Sequence, residues 1–466
     1  MKKVLSILLI MAISVLLIVP QVNAADESIK ISLSDNQITV DGEKISGDNT
    51  NSVYLSTQMD NGGTSSEAKE ANEKIGSIVN ITKAGTYEVS GELTDGQISI
   101  NANKISGEVK IILNNANITC KNAPAIFVYS KDIENENCKV IIETAEDSEN
   151  IITGGKLKTS VEGWEDQDKL DYYVEKGYSD EHEYYERYKY DGAISSDISL
   201  TFQGKGYLNI VSTKKEGIEC KSDITINDGI YEIDSQDDGI NACTDNKTIT
   251  INEGTLFVNI NPEADEGDGI DSNGSIVING GSVYSFACPG SDNGLDADQG
   301  IYINGGRVLS TGSMQEEIKS SNNKTIIQMN FSTEVNAGDS VVIVDESGNE
   351  VVAFKLDRKI TTFAYSSNNL ENKEYSVYTG TNITGETDTY GFYTKIDNLN
   401  LDNLTKQENS GNGMMMGGHG GQFGNEMKQN EQNNSYFLVV LGVLAGVLVL
   451  VIVVAVISSK KKGKNK

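Results

Sequence analysis

The chain is predicted to be all-β, a parallel β-helix whose short strands wind into stacked coils, and three observations predict it. One pattern returns four times in succession, as "EGIECKSDITINDGIYEI", "DGINACTDNKTITINEGTLFV", "DGIDSNGSIVINGGSVYSF" and "NGLDADQGIYINGGRVLS". The glycines that anchor it, Gly217, Gly239, Gly269 and Gly294, lie 22, 30 and 25 residues apart, too far for a hairpin repeat and too unevenly for a propeller blade. Inside each unit the apolar residues alternate with polar ones, the period of a strand with one buried face. Ile224 and Ile226, Ile249 and Ile251, Ile276 and Ile278, and Ile301 and Ile303 take equivalent inward positions. After an "NDG", "NEG" or "NGG" corner a second alternation places Tyr231 and Ile233, Leu256 and Val258, Val283 and Ser285, and Val308 and Ser310 inward. Finally, 46 glycines against 4 prolines suit many short strands and tight corners better than packed helices.

The elements follow in order along the 466 residues. "MKK", an apolar run from Val4 to Val19 and the small-residue end "VNA" have the three regions of a secretory signal peptide, so residues 1–24 are expected to be removed. Residues 25–74 read as a leader. The solenoid is placed at 75–324, because weaker units ("GEVKIILNNANIT", "APAIFVYSKDI", "DGAISSDISLTFQGKGYLNI") precede the clear ones. Residues 156–190, which carry the only tryptophan and many tyrosines, break the repeat as an insertion. From 325 to 399 the strands lose the repeat and read as a small β-sandwich-like cap, of the kind an open solenoid end requires. Residues 400–436, including "SGNGMMMGGHGGQFG", form a low-complexity spacer. Met414, Met415, Met416 and His419 belong to that spacer rather than to a copper site. The uncharged run at 437–457 would span about 31 Å as a helix, the thickness of a bilayer's hydrocarbon core. The basic tail 458–466 then stays in the cytoplasm, and the large N-terminal region is extracellular, held to the cell membrane by a single pass.

Acidic residues outnumber basic ones, 68 to 38, for a formal charge of -30, which repels a polyphosphate backbone and excludes nucleic acid as a partner. Cys120, Cys138, Cys220, Cys243 and Cys288 are odd in number and lack CxxC spacing, so they read as small core residues rather than as a zinc or redox motif.

Stacking the coils generates two acidic columns. The residue before the glycine runs Glu216, Asp238, Asp268, Asn293, and the residue after the Ile or Leu runs Glu219, Asn241, Asp271, Asp296, with Asp237 and Asp292 alongside. Equivalent positions lie about 4.8 Å apart. Like charges at that distance repel by roughly 1 kcal/mol in water and about 3.5 kcal/mol at an effective dielectric of about 20, so a cation is expected there. Calcium fits, because it accepts six to eight oxygens from carboxylates, amides and carbonyls in loose geometry. Solvated acidic loops are the alternative.

"NITKAGTYEVSGELTDGQISI", "DGAISSDISLTF", "EGIECKSDITI" and "DDGINACTDNKTITI" resemble the bacterial carbohydrate-binding β-helix family described as cellulose- and acid-sugar-binding. The resemblance spans roughly residues 75–380. It implies a right-handed winding similar to pectate lyases, bound calcium, and binding of acidic (uronate) or cellulosic polysaccharide without demonstrated cleavage. A polygalacturonase constellation is not assembled: "GHG" lies in the spacer and "EEIK" has Glu317 where arginine belongs. A calcium-dependent lyase needs a basic residue, usually arginine, and the chain offers Arg187, Arg307 and Arg358. His182 lacks a second histidine and sets up neither a metal triad nor a nucleophilic one. No enzymatic activity is expected. A structural adhesin or wall spacer stiffened by calcium is the second reading, and a lyase the third. For sugar contact, the aromatic faces of Trp164, Tyr172, Tyr184 and Tyr185 in the insertion are the candidates, against a role in packing on the solenoid's flank.

Overall fold

The computed structural model describes residues 28–57, 75–155, 190–290, 292–314 and 316–410, with the backbone of strands Lys158–Ser160 and Glu186–Tyr188. The expected signal peptide, the membrane segment at 437–457 and the basic tail lie outside these residues, as do Trp164, Tyr172, Tyr184 and Tyr185. Among the described residues no helix is long and apolar enough to cross a membrane.

Each coil gives one strand to each of three stacked faces. On the first, Ile126–Tyr129, Ile194–Ser196, Ile218–Cys220, Ile240–Ala242, Ile270–Ser272 and Leu295–Ala297 pair in parallel, one after another. The second runs through Leu200–Gly204, Ile224–Ile226, Thr248–Ile251, Ser275–Ile278 and Gly300–Ile303. Tyr207–Ser212, Ile230–Ser235, Thr255–Ile260, Ser282–Phe286 and Arg307–Gly312 make the third.

The alternation read from the sequence sets these registers. Ile224, Ile249, Ile276 and Ile301 are direct partners and fully buried, as are Ile251, Ile278 and Ile303 one step along. Each such side chain stabilises the stack by about 1.5–3 kcal/mol through burial, and a slip of one residue would turn the whole set to solvent. At the corner between the second and third faces, Gly254 (φ 98°) and Gly281 (φ 77°) adopt a left-handed conformation that disfavours a side chain. The asparagines before these glycines form a ladder. Asn252 donates to Asn227 (2.9 Å), Asn279 to Asn252 (3.0 Å) and Asn304 to Asn279 (3.1 Å), and the Asn304 side-chain amide oxygen accepts from the Ser321 N–H (2.9 Å).

Parallel pairing begins before residue 75. Ile29–Leu33 lies parallel to Gly85–Leu93, pairing Ile31 with Val89, and Ile31 and Leu33 are buried in the same core. Val53–Ser56 pairs antiparallel with Ser77–Ile81, closing the first face. Part of the segment expected as a leader is thus the solenoid's first layer, which the sequence conceals because it carries no Gly-Ile corner. The insertion is closed at its base by antiparallel pairing of Lys158–Ser160 with Glu186–Tyr188.

In the cap, Ile360–Ser366 pairs antiparallel with Arg307–Gly312 and Ile326–Val335, extending the third face. A separate antiparallel sheet of Glu350–Lys355, Ser340–Asp345, Tyr375–Gly380 and Thr405–Gln407 packs on it. The cap therefore runs on to Gln407, past the expected boundary at 399. Its core, with Val341, Ile343, Phe354 and Phe363, takes in the solenoid's outward Tyr284, Phe286 and Leu309.

Arg358 fastens the two. Its guanidinium, in a side chain only 3% exposed, donates to the carbonyls of Ile260 (2.7 Å), Phe286 (3.1 Å) and Ala287 (3.2 Å), to the Asn259 side chain, and to the Asp357 carboxylate (2.9 Å). Arg307 lies 3.8 Å above the Phe392 ring. Both described arginine side chains thus hold the cap. Cys120, Cys138, Cys220 and Cys288 are buried, and Cys243 is half-buried.

Candidate functional site

The acidic columns sit where each coil enters the first face. Here the chain must pass directly beneath the next coil, and glycine is required for space. A Cβ on Gly269 would stand 1.9 Å from the Ser285 hydroxyl and 2.5 Å from the Gly294 carbonyl oxygen, and one on Gly239 would stand 2.1 Å from Val258. The backbone ladder passes through the same corner: Gly239 N–H donates to the Asp268 carbonyl (3.0 Å) and Gly269 N–H to that of Asn293 (2.9 Å). Carboxylates on either side of the Gly-Ile pair are consequently locked into columns. Glu219, Asn241, Asp271 and Asp296 are direct strand partners in that order.

The coils differ in how they satisfy these groups. Asn241 donates to Asp238 (2.7 Å), and Asn293 donates to Asp296 (3.0 Å). In the coil between them both positions are carboxylates, Asp268 and Asp271, so no side-chain amide bridges the pair, although the Asn293 N–H donates to Asp268. Asp268, Asp271 and Asp296 each bring an oxygen within 4.8 Å of the other two. The amide oxygens of Asn241 and Asn293, whose side chains are at least nine-tenths buried, have no hydrogen-bond partner among the described residues. Buried acceptors beside clustered carboxylates need a positive partner, so the residues present suit an oxygen-preferring cation.

Electrostatics point the same way. Burial, reinforced by the Asp296 and Asp298 charges, pushes the Asp271 carboxyl up to about 7. Burial and the carboxylates around them hold Asp268, Asp238 and Glu216 well above the usual carboxylate range. Glu316, which the repeat does not predict, belongs to this cluster: it accepts from the Ala297 N–H (3.2 Å), and burial with the Asp296 charge raises it to about 7. It lies just before Ile318–Lys319, which adds one more parallel strand to the second face without a Gly-Ile corner to mark it in the sequence.

The other expected ligands have different surroundings. Glu219 accepts from the Asp191 N–H and the Ser195 hydroxyl, both at 2.9 Å. Asp237 forms an ion pair with Lys215, which also reaches Glu266 (3.3 Å), so its charge is already compensated. Asp292 lies beside the Cys288 thiol, and its backbone carbonyl accepts from Ser313 N–H (2.8 Å).

The model of the carbohydrate-binding domain-containing protein family matches residues 75–354. The chain belongs to this family. That bears out the resemblance read from the Gly-Ile coils. A carbohydrate-binding domain-containing protein of Acetivibrio thermocellus is 27% identical over 194 residues, 41% of this chain. The chain spans about half the length of that relative, 51% of it. A solved structure described as the polysaccharide lyase-like protein from C. thermocellum, gadolinium derivative, is 20% identical, with a TM-score of 0.37 over 64% of this chain and 98% of that one. The carbohydrate-binding domain match encloses every residue of the acidic columns, Glu316 included, and it ends inside the cap at Phe354.

Proposed function

We propose that the chain is an exported, membrane-anchored protein that displays a calcium-dependent carbohydrate-binding surface, with acidic, uronate-containing polysaccharide as the class recognised at the columns. The convergence of Asp268, Asp271 and Asp296 beside two buried amide oxygens, inside a carbohydrate-binding domain, is the observation that carries it. These three carboxylates, with Glu316 and the amide oxygens of Asn241 and Asn293, would hold calcium. Calcium bound there supplies positive charge on an otherwise repulsive surface, which is what an anionic polymer needs in order to approach so acidic a protein. Export and anchoring rest on the signal-peptide pattern at 1–24 and the apolar run at 437–457.

Asp271→Asn tests the reading, because it preserves shape while removing one charge. Calorimetry should show calcium and polygalacturonate binding weakening together, each by about tenfold, which is a loss of about 1.4 kcal/mol. Polygalacturonate affinity at the wild-type level alongside weakened calcium binding would assign the cation to structural stiffening alone, the adhesin or spacer reading.

A further inference from the structure

A second hollow, lined by none of the column carboxylates, lies where the cap's turn 387–391 meets the third face. It measures about 330 Å³, at the lower end of the range for small-molecule sites, and opens to solvent between Phe257 and Phe286 on the solenoid and Tyr390 on the turn. The rings form a continuous aromatic surface: Phe257 lies 5.2 Å from Tyr390 and 5.5 Å from Phe286, and Tyr284 stacks beneath Tyr390 at 4.7 Å. Phe257 and Tyr390 are only partly buried. The turn that carries Tyr390 is held in place, since the Asp388 carboxylate accepts from both the Tyr390 and Phe392 N–H groups at 2.9 Å. Thr311 lines the same hollow, and its buried hydroxyl has no hydrogen-bond partner among the described residues. Lys355, Asp357 and Asp388 contribute to the lining.

These features describe a receptor for a flat molecule with an apolar face and a hydroxylated edge. The C–H groups on one side of a pyranose ring carry partial positive charge and favour the electron-rich face of an aromatic ring, while the hydroxyls at its edge need hydrogen-bond partners such as Thr311, Asp357 and Asp388. Asp357 is already paired with Arg358, and Lys355 stands against Asp388, so the hollow offers neither a surplus of positive charge nor the clustered acid oxygens that would hold a cation for an acid sugar. An anionic sugar is disfavoured and a neutral one is not. Resting on the carbohydrate-binding reading above, we propose that the aromatic hollow beneath Tyr390 binds neutral, equatorially linked pyranose chains, as a glycan site separate from the acidic columns.

The test is calorimetry on the full chain with cellohexaose and, separately, with polygalacturonate in calcium. Tyr390→Ala should weaken cellohexaose binding by about tenfold or more. It should leave polygalacturonate binding unchanged while lowering the melting temperature somewhat, since Tyr390 also stacks on Tyr284, and Tyr390→Phe should retain both the neutral ligand and the stability. On the unaltered protein, cellohexaose should protect Tyr390 from nitration, a reading that stands even if the alanine variant folds poorly. Undiminished cellohexaose binding to Tyr390→Ala, absence of protection, or equal loss of both ligands at unchanged stability would each overturn the assignment. Polygalacturonate binding without any cellohexaose binding would remove this site and leave the acidic one. Binding of neither would remove both.

Discussion

Chelating calcium at pH 8 should lower the melting temperature of the protein by roughly 5 °C or more, and the loss should shrink as the pH is brought toward 5. Saturating an intact site at about 100 times its dissociation constant stabilises a fold by about 2.7 kcal/mol, and in a domain of this size about 1 kcal/mol moves the midpoint by a few degrees. The pH dependence follows from the direction of the shifts. Asp271 and Glu316 are raised to about 7 in the fold from ordinary values of 3.8 and 4.5, so between those limits the folded form holds protons that the unfolded form has released. Without the metal, stability is therefore gained as pH falls through about 7 and lost as it rises through the same range. Bound calcium should flatten this profile, since it and the protons compete for the same oxygens. Differential scanning calorimetry across pH 5–8, with calcium and with chelator, measures both effects. Superimposable melting curves after verified calcium removal would return the columns to solvated acidic loops.

The second large effect is expected far from the columns. Arg358→Ala strips the hydrogen-bond donors from the carbonyls of Ile260, Phe286 and Ala287 and from the Asn259 side chain, at the seam between solenoid and cap. Removing one partner of a buried charged network costs about 3–5 kcal/mol, because the groups left behind are desolvated and unpaired. The cap should then loosen at a lower temperature than the solenoid, splitting the unfolding transition and opening residues 325–407 to limited proteolysis. Arg358→Lys should recover only part of the loss, since an ammonium cannot reproduce the planar fork that reaches several acceptors at once. A single transition at the wild-type temperature would show that the apolar contacts of Phe354 and Phe363 hold the cap unaided.

How far these features could be read in advance depended on whether they repeat. Period-two alternation and the Gly-Ile corners fixed strand faces and register together, which is why Glu219, Asn241, Asp271 and Asp296 stack in the order expected. Features formed where the repeat ends stayed hidden. Ile29–Leu33 pairs like a coil strand without a coil's corner, and Glu316 reaches the acidic cluster from beyond the last unit. The aromatic hollow does not stand out in the sequence, because the densest run of candidate sugar-stacking rings lies in the tyrosine-rich insertion. A signal did exist in the coils. At the outward positions of the third face, Asn209 and Glu232 give way to Phe257, Tyr284 and Leu309, a change from polar to apolar that marks where the cap comes down. What the alternation could not supply was Tyr390, since a turn's approach to a distant strand depends on cap topology, for which the sequence offers no periodicity.

The asparagine ladder makes the stack directional. From Asn252 onward each amide donates toward the preceding coil and offers its oxygen to the following one, until the Ser321 N–H takes the last acceptor. A coil is accordingly an editable unit of length: one duplicated whole, with its corner asparagine and in the same orientation, would find a donor and an acceptor waiting on either side. It would lengthen the protein by about 4.8 Å. A coil inserted in reverse would face donor to donor, and the natural way to lengthen or shorten such a molecule is by whole turns.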